Sequence, residues 1–409
     1  MIDLGLSRVI RLLTALGNPQ LTWKAVHVAG TNGKGSVCAY ISSCITQAKI
    51  SNGRFTSPHL VDRFDCISIN GKPVVENLFL EVEKKVSEVN LENNIQATDF
   101  ELLTAIAFEI FHRQKVDLAV IEVGLGGRLD ATNVLPPSQT LCSIITKIGL
   151  DHQNFLGNTL SEIAREKAGI IKQAVPCILD ATNEPEVIRE VEKIVSQNNS
   201  KLILAHPLTN KTTGPFQVDP STSPLLGSYQ MSNLSCSLQA LLEIQKHYPL
   251  SDRIVQQGIK ETQWPGRLQK VQLSNGFEVL LDGAHNNQAA DLLAEYINNS
   301  VRPSATSAIT FIVAFSQGKD FKGILQRLVK PGDTVIATQF GAVDGMPWVA
   351  PCDPQEIAAV AYSFTDPANV HIEQSIQKGL SRAQQTPTTS STVICGSLYL
   401  VADFVRATR

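Results

Sequence analysis

The 409-residue chain has no C-x-x-C pair, and its eight cysteines are scattered without regular spacing. That argues against a zinc site or a disulfide framework and for reduced thiols in a cytosol. The chain also lacks an excess of either charge. Its net charge of −3 comes from well-mixed residues of both signs, so nothing points to a nucleic-acid or anionic-membrane surface. No apolar run approaches the roughly 18 residues needed to span a bilayer, which predicts a soluble, cytoplasmic protein. Residues 1–16, "MIDLGLSRVIRLLTAL", contain Asp3 and little serine, which weighs against a targeting presequence and for a first amphipathic helix. No internal repeat is present, and no N-K-x-D motif of the kind GTPases use to read their base.

What is present suffices for two domains, with 43% hydrophobic residues to fill their cores. Short β-branched runs alternate with helical spacing along most of the chain. "AVHVAG" (25–30), "VDLAVIEVG" (116–124), "CSIITKIGL" (142–150), "PCILDA" (176–181) and "KLILAH" (201–206) read as strands. A second series follows "WPGR" (264–267), with strands near 277–282, 310–315, 333–338 and 392–395. This alternation predicts mostly parallel sheets with helices on both faces. The Pro/Thr/Ser-rich segment 206–228 predicts an irregular surface excursion, and "QQTPTTSST" (384–392) a loop inside the second domain. The domain boundary is expected near residue 267, giving domains of 1–267 and 268–409.

The stretch "HVAGTNGKGS" (27–36) resembles a phosphate-binding loop with altered spacing. Only Thr31 and Asn32 separate Gly30 from Gly33, and Gly35 stands between Lys34 and Ser36. A strand, a glycine-rich turn and a helix in that order are the context such a loop requires. Backbone N–H groups at the helix start bind phosphate oxygens, assisted by the positive end of the dipole. Gly30, Gly33 and Gly35 permit close approach and positive φ. Lys34 can neutralise the outer phosphates, and Ser36 can reach phosphate or hydrated Mg²⁺. These residues predict a nucleotide site.

Taken with "FTSPHL" (55–60), "TDFELLT" (98–104), "IEVGLGGRLDATN" (121–133), "KIGLDHQNFLGNTLSEIAREKAGIIK" (147–172), "WPGRLQ" (264–269) and "LDGAHN" (281–286), the loop resembles the folate branch of the Mur ligase superfamily. That branch holds the folylpolyglutamate synthases and dihydrofolate synthases. The resemblance implies a P-loop α/β domain followed by a smaller Rossmann-like domain, with ATP in the cleft between them. It also implies ATP-dependent ligation of glutamate to a carboxylate through an acyl phosphate.

Site residues follow from the same resemblance. Gly33, Lys34, Gly35, Ser36, Asn233, Arg267 and Asp282 would bind ATP. Ser57, Glu122, His152 and a carbamylated Lys167 would hold Mg²⁺, with two ions in all. Lys34, His152 and Lys167 would serve catalysis. Thr98, Asp99, Phe100, Glu101, Leu129, Asp130 and Ala131 would form the dihydropteroate pocket, Phe100 offering a face for stacking and Asp130 an acceptor for pterin N–H groups. His285 and Asn286 would lie on the nucleotide or glutamate side.

Read without the resemblance, several of these residues have plainer roles. Glu122 closes an apolar run and serves equally as a capping or salt-bridging carboxylate. Lys167 reads as a solvated helix lysine beside Glu166. Asn233 reads as a helix N-cap, and Phe100 as the first core residue of a helix over 100–112.

Three features favour dihydropteroate as the acceptor over an existing folate tail. The loop reads "GTNGKGS" and not "GTKGKGS"; the chain begins almost at its first helix; and "GMPWVAPCDPQEI" and "CGSLYL" look like the fungal monofunctional members. The alternative is extension of the tail of tetrahydrofolate, by a folylpolyglutamate synthase or a bifunctional enzyme. Small-molecule substrates, no nucleic acid, no membrane and a monomeric state are expected.

Overall fold

The computed structural model describes residues 5–209, 216–302, 304, 307–385 and 391–408. The chain forms two compact units. The first takes in Met1–His59, Phe64–Pro224 and Tyr229–Gln263; the second takes in Leu60–Arg63, Leu225–Ser228 and Trp264–Arg409. A single cut near residue 267 does not capture the two short segments that join the second unit.

The first unit is built on an eight-stranded sheet. Its strands are β1 (Lys24–Ala29), β2 (Asn52–Phe55), β3 (Ile67–Ile69), β4 (Lys72–Pro73), β5 (Leu118–Glu122), β6 (Thr140–Ile145), β7 (Cys177–Asp180) and β8 (Leu202–Ala205). They lie in the order β4-β3-β2-β5-β1-β6-β7-β8. The pairings from β2 to β8 are parallel, and β3 and β4 add an antiparallel edge. The parallel core agrees with the alternation read from the sequence.

Strands β2, β3 and β4 go beyond those expected from the sequence. In β2, "NGRF", the glycine and arginine interrupt the apolar pattern that marks a buried strand. β5 and β6 flank β1, so the strand order reverses there. At such a switch point an open α/β sheet leaves a crevice at the strands' carboxyl ends.

Apolar burial holds this unit together. Helix Asp99–Arg113 buries Phe108 and Phe111 completely, and both rings meet Trp23 edge-on, with centroids 5.1 and 5.8 Å apart. Burying such side chains contributes about 1.5–3 kcal/mol each. Helix Ser7–Ala15 confirms the expected first helix within the described residues, and it buries Val9, Leu12 and Leu13.

The second unit carries a six-stranded sheet. Its strands are β9 (Gln269–Gln272), β10 (Glu278–Leu281), β11 (Ile309–Val313), β12 (Thr334–Ala337), β13 (Val370–Ile372) and β14 (Ser391–Cys395). The order is β13-β12-β11-β14-β10-β9, parallel except for β9 at one edge. β9 and β13 were not expected, because "QKVQ" is mostly polar and "VHI" is only three residues long.

Part of the expected excursion 206–228 and part of the loop 384–392 lie outside the described residues. The described part of the former is irregular, but Phe216, Val218 and Leu225 are buried, so it is not purely a surface feature. None of the eight cysteines forms a disulfide, and all are buried. No helix among the described residues is long and apolar enough to cross a membrane.

Candidate active site

Three neighbouring strands converge on one loop. Val28 of β1 pairs with Glu122 of β5, and Ala29 with Ile145 of β6. The segment Gly30–Ser36 therefore leaves the sheet beside the carboxyl ends of both neighbours. Gly30 has φ 151, and a Cβ there would stand 1.8 Å from the Thr146 hydroxyl oxygen. Gly33 has φ 94, and a Cβ there would stand 2.3 Å from Asn233 Oδ1. No side chain fits at either place, which is why both are glycine. Gly35 differs from the expectation of positive φ: it is the second residue of helix Lys34–Gln47. Gly33 is the N-cap of that helix and supplies no side-chain hydrogen bond, so the first-turn N–H groups have no side-chain cap, the arrangement an anion-binding helix start requires.

Two lysines meet at the loop. Lys34 Nζ donates to the carbonyl oxygens of Gly30 and Thr31 at 3.1 and 3.3 Å and lies 3.8 Å from Glu122 Oε1. Lys167 Nζ donates to the same Gly30 oxygen at 2.8 Å. The solvated reading of Lys167 is overturned, since only 5% of the residue is exposed. Helix Leu160–Ala168, opened by a Thr159/Glu162 capping box, turns Ile163, Ala164, Lys167 and Ala168 inward together. Burial first, then the Lys34 charge, lowers the Lys167 pKa to about 7, while Asp151 and Asp130 act in the opposite sense.

Glu122 is buried at the carboxyl end of β5. Ser57 lies just past β2, whose Phe55 pairs with Ile121 of β5, so Ser57 and Glu122 stand at the carboxyl ends of neighbouring strands. His152 does not follow a strand directly, as residues 146–151 separate it from β6. It takes a left-handed conformation (φ 52), with its Nε2 4.0 Å from Asp151. Thr31 ties this segment to the phosphate loop: its hydroxyl donates to the Gly149 carbonyl (3.1 Å) and accepts from the Gly149 N–H (3.0 Å). Among the described residues no three His, Cys, Asp or Glu side chains converge on a metal position.

The plainer reading of Asn233 as an N-cap does not hold: helix Gln230–Gln245 is capped by Tyr229, and Asn233 lies in the first turn. Its amide Nδ2 donates to Gln230 Oε1 (2.9 Å), and Gln230 Nε2 donates to Ser36 Oγ (3.3 Å). Nothing in the sequence pattern marked Gln230.

Arg54 also went unread, for the reason that hid β2. Burial lowers the pKa of its guanidinium, and Cys38, Glu122 and Asp65 nearby act to raise it.

The residues expected on the acceptor side separate into two kinds. Thr98 and Glu101 form a capping box at the head of helix Asp99–Arg113, and Glu101 also accepts from Arg8 Nε at 2.9 Å. Their polar atoms hold the helix end. Asp99 is exposed in the first turn. Phe100 stacks on Phe55 with centroids 6.1 Å apart and an interplanar angle of 24°. It also packs so closely over Gly124 that a Cβ there would lie 2.3 Å from the ring. Phe55 thus occupies part of the aromatic surface expected to be available for stacking.

Leu129 is half-buried, and Ala131 and Asp130 are buried. Asp130 Oδ2 accepts from Leu125 N–H (2.9 Å), and Oδ1 accepts from both the N–H and the hydroxyl of Thr132. Most of its acceptor capacity is used inside its own loop, which leaves less for a ligand than expected.

In the second unit, Asp282 follows β10. Its oxygens accept from Leu268 N–H and Ala284 N–H at 2.9 and 2.8 Å. Burial raises its pKa against the opposing effects of Arg267 and these N–H groups. Arg267 Nη1 donates to the Gly266 carbonyl at 3.0 Å. His285 Nδ1 lies 2.8 Å from the Gly283 carbonyl oxygen, and Asn286 is the N-cap of helix Asn287–Tyr296.

Residues 28–241 match the Mur ligase middle domain, and residues 267–407 match the C-terminal domain of dihydrofolate synthetase. The chain belongs to the Mur ligases, in their folate branch. It is similar over 99% of its length to the Schizosaccharomyces pombe protein named "Probable dihydrofolate synthetase", with 42% identity covering 98% of that protein. The Saccharomyces cerevisiae dihydrofolate synthetase is 40% identical over the same shares.

Among solved Mur ligase structures, Mycobacterium tuberculosis folylpolyglutamate synthase complexed with ADP and AMPPCP superposes with a TM-score of 0.87. It is 26% identical, over 99% of this chain and 95% of that one. A bifunctional folylpolyglutamate synthase/dihydrofolate synthase with Mn, AMPPNP and L-glutamate bound gives a TM-score of 0.81 at 26% identity, over 100% of this chain and 95% of that one.

Proposed function

We propose that this Mur ligase joins L-glutamate to 7,8-dihydropteroate at the expense of ATP, giving 7,8-dihydrofolate, ADP and phosphate. The observation that carries the acceptor is the full-length similarity, at 42% and 40% identity, to two fungal proteins named as dihydrofolate synthetases.

A carboxylate is a poor electrophile, so its oxygen first attacks the γ-phosphorus and ADP leaves. The glutamate amine then attacks the acyl carbon and phosphate departs. Phosphoryl transfer depends mainly on positioning and on neutralising charge. Lys34, curled back over the Gly30–Ser36 loop, stands where the outer phosphates meet the helix N-terminus. Gly33, Gly35 and Ser36 supply backbone N–H groups and a hydroxyl. Gln230 orients both Ser36 and Asn233, a pairing that suits Asn233 to the nucleotide. Arg267 and Asp282 are assigned to the nucleotide as well, and His285 and Asn286 to the nucleotide or glutamate.

Mg²⁺ favours hard oxygen ligands and keeps several waters and phosphate oxygens. Glu122 and Ser57, at the carboxyl ends of neighbouring strands beside the loop, would supply such oxygens, and His152 would be a further, nitrogen ligand. The ion supplies charge neutralisation to the transferring phosphoryl group.

Lys167 suits a further step. With its pKa near 7, a good part of the amine is neutral at physiological pH. The neutral amine adds to CO₂, forming an N–C bond and releasing one proton, and the side chain becomes an anionic carbamate that would help hold a second Mg²⁺. Thr98, Asp99, Phe100, Glu101, Leu129, Asp130 and Ala131 are assigned to the acceptor side, with Phe100 and the backbone of the loop as the contacts and Asp130 as the loop's organiser.

Steady-state assays with dihydropteroate, glutamate and ATP, omitting one at a time, test the reading. Phosphate release should require all three. Release that ignores glutamate would contradict ligation.

A further inference from the structure

His27 and Thr132 are fully buried and take no part in the chemistry above. His27 lies on β1, shortly before Gly30. Thr132 closes the loop that leaves β5 after Glu122 and contains the acceptor residues 129–131.

The hydrogen bonds between them fix a direction. Burial raises the Asp130 pKa, but the Thr132 hydroxyl and the N–H groups of Leu125, Thr132 and Gly124 oppose that shift; with N–H donors on both oxygens it acts as a carboxylate, which can only accept. The single proton of the Thr132 hydroxyl therefore goes to Asp130 Oδ1. His27 Nε2 stands 2.9 Å from the same hydroxyl oxygen and must donate to it. This sets the imidazole as the Nε2–H tautomer, and burial, with the Lys172 charge in second place, keeps it neutral. Nδ1 is then a bare lone pair with no hydrogen-bond partner among the described residues. An apolar side chain would fill this place without an unsatisfied buried acceptor, so the imidazole is a poor choice for packing alone.

We propose that His27 and Thr132 are positioning residues that set the acceptor loop and couple it to the strand carrying the phosphate loop. The coupling runs from His27 through Thr132 to Asp130, then from Asp130 Oδ2 to the N–H of Leu125. Leu125 adjoins Gly124, the residue on which Phe100 rests. The inference depends on the reading of this loop as the acceptor side.

The test compares Thr132→Val, which keeps shape but removes the hydroxyl, with Thr132→Ser, which keeps it. His27→Leu is compared with His27→Gln, whose amide can place a donor near the Nε2 position. The acceptor is whichever of dihydropteroate and tetrahydrofolate the wild-type enzyme extends. Thr132→Val should raise the acceptor KM at least tenfold with the ATP KM within twofold of wild type, and Thr132→Ser should restore it. His27→Leu should reproduce that split, His27→Gln should reduce it, and the double variant Thr132→Val/His27→Leu should be no worse than either alone.

An acceptor KM within twofold of wild type in the valine and leucine variants would overturn the coupling and leave the functional reading standing. Equal rises in both KM values would also overturn it, because a general loss of structure moves both. A wild-type enzyme that extends neither acceptor would refute the functional reading and this inference with it.

Discussion

The side-chain amines of Lys34 and Lys167 donate to one acceptor, the carbonyl oxygen of Gly30, at 3.1 and 2.8 Å. Two cations sharing an oxygen repel each other, and the more deeply buried one loses its proton more readily. A feature of the backbone turn thus connects Lys34 to the protonation of Lys167.

Lys34→Ala should therefore have two effects. Loss of the ammonium should lower kcat by roughly 10² or more, the scale for removing one preorganised charge stabiliser. It should also raise the Lys167 pKa above its value of about 7, since the repelling neighbour is gone. Turnover assays and the pH dependence of Lys167 labelling by an amine-reactive reagent, checked by peptide mass, would follow the two separately. Near-normal turnover would remove Lys34 from the phosphate site.

The buried amine also predicts how stability depends on pH. The folded-state pKa is about 7, against about 10.4 for an unfolded lysine. Between those values the unfolded chain binds more protons, so this group makes stability rise with pH across roughly 7 to 10. Below that window the full cost of burying the charge is felt. In CO₂-free buffer, Lys167→Met should lose this rise and gain stability relative to wild type most at pH 6. Parallel Tm-versus-pH curves for the two proteins would contradict the burial argument.

Much of this site was legible in the sequence, because glycine and lysine at a strand-to-helix junction have few other uses. Lys167 was harder, since composition alone placed it in solvent beside Glu166. The spacing held a signal, however: Lys167 falls four residues after Ile163 and three after Ala164, on the buried stripe of its helix. Gln230 and Arg54 gave no such signal. A buried glutamine inside a helix, or an arginine inside a four-residue strand, acquires meaning only when the chain brings it to Ser36 or Glu122. The roles of Thr98 and Glu101 as a capping box follow from a spacing rule, but resemblance drew attention to the acceptor instead.

Gly30→Ala should be severely damaging. Its Cβ would stand 1.8 Å from the Thr146 hydroxyl oxygen, and φ 151 is a conformation that side chains avoid. The loop must shift, displacing the oxygen shared by both lysines, so ATP binding by calorimetry should fall at least tenfold. Paired with Thr146→Ala, which vacates the clashing atom, the loss should be smaller. Equal losses in the single and double variants would place the damage in φ alone.

Glu122→Gln removes a carboxylate charge while keeping its shape. The Mg²⁺ concentration giving half-maximal activity should rise by an order of magnitude or more, with the Tm little changed. An unshifted Mg²⁺ titration would demote Glu122 to a structural partner of Lys34, from which it lies 3.8 Å.

Mass spectrometry of the product decides the identity of the acceptor. Dihydropteroate and tetrahydrofolate are offered in turn with ATP, Mg²⁺ and glutamate. The rigid aryl carboxylate of the first and the flexible γ-carboxylate of the second reach different distances from the pterin, and attack requires placement within about 3–3.5 Å. Dihydropteroate should gain one glutamate residue and no more. Tetrahydrofolate should be poorer by at least tenfold in kcat/KM, which is about 1.4 kcal/mol of transition-state discrimination. Ladders of polyglutamate built on tetrahydrofolate, with dihydropteroate left unchanged, would contradict the account.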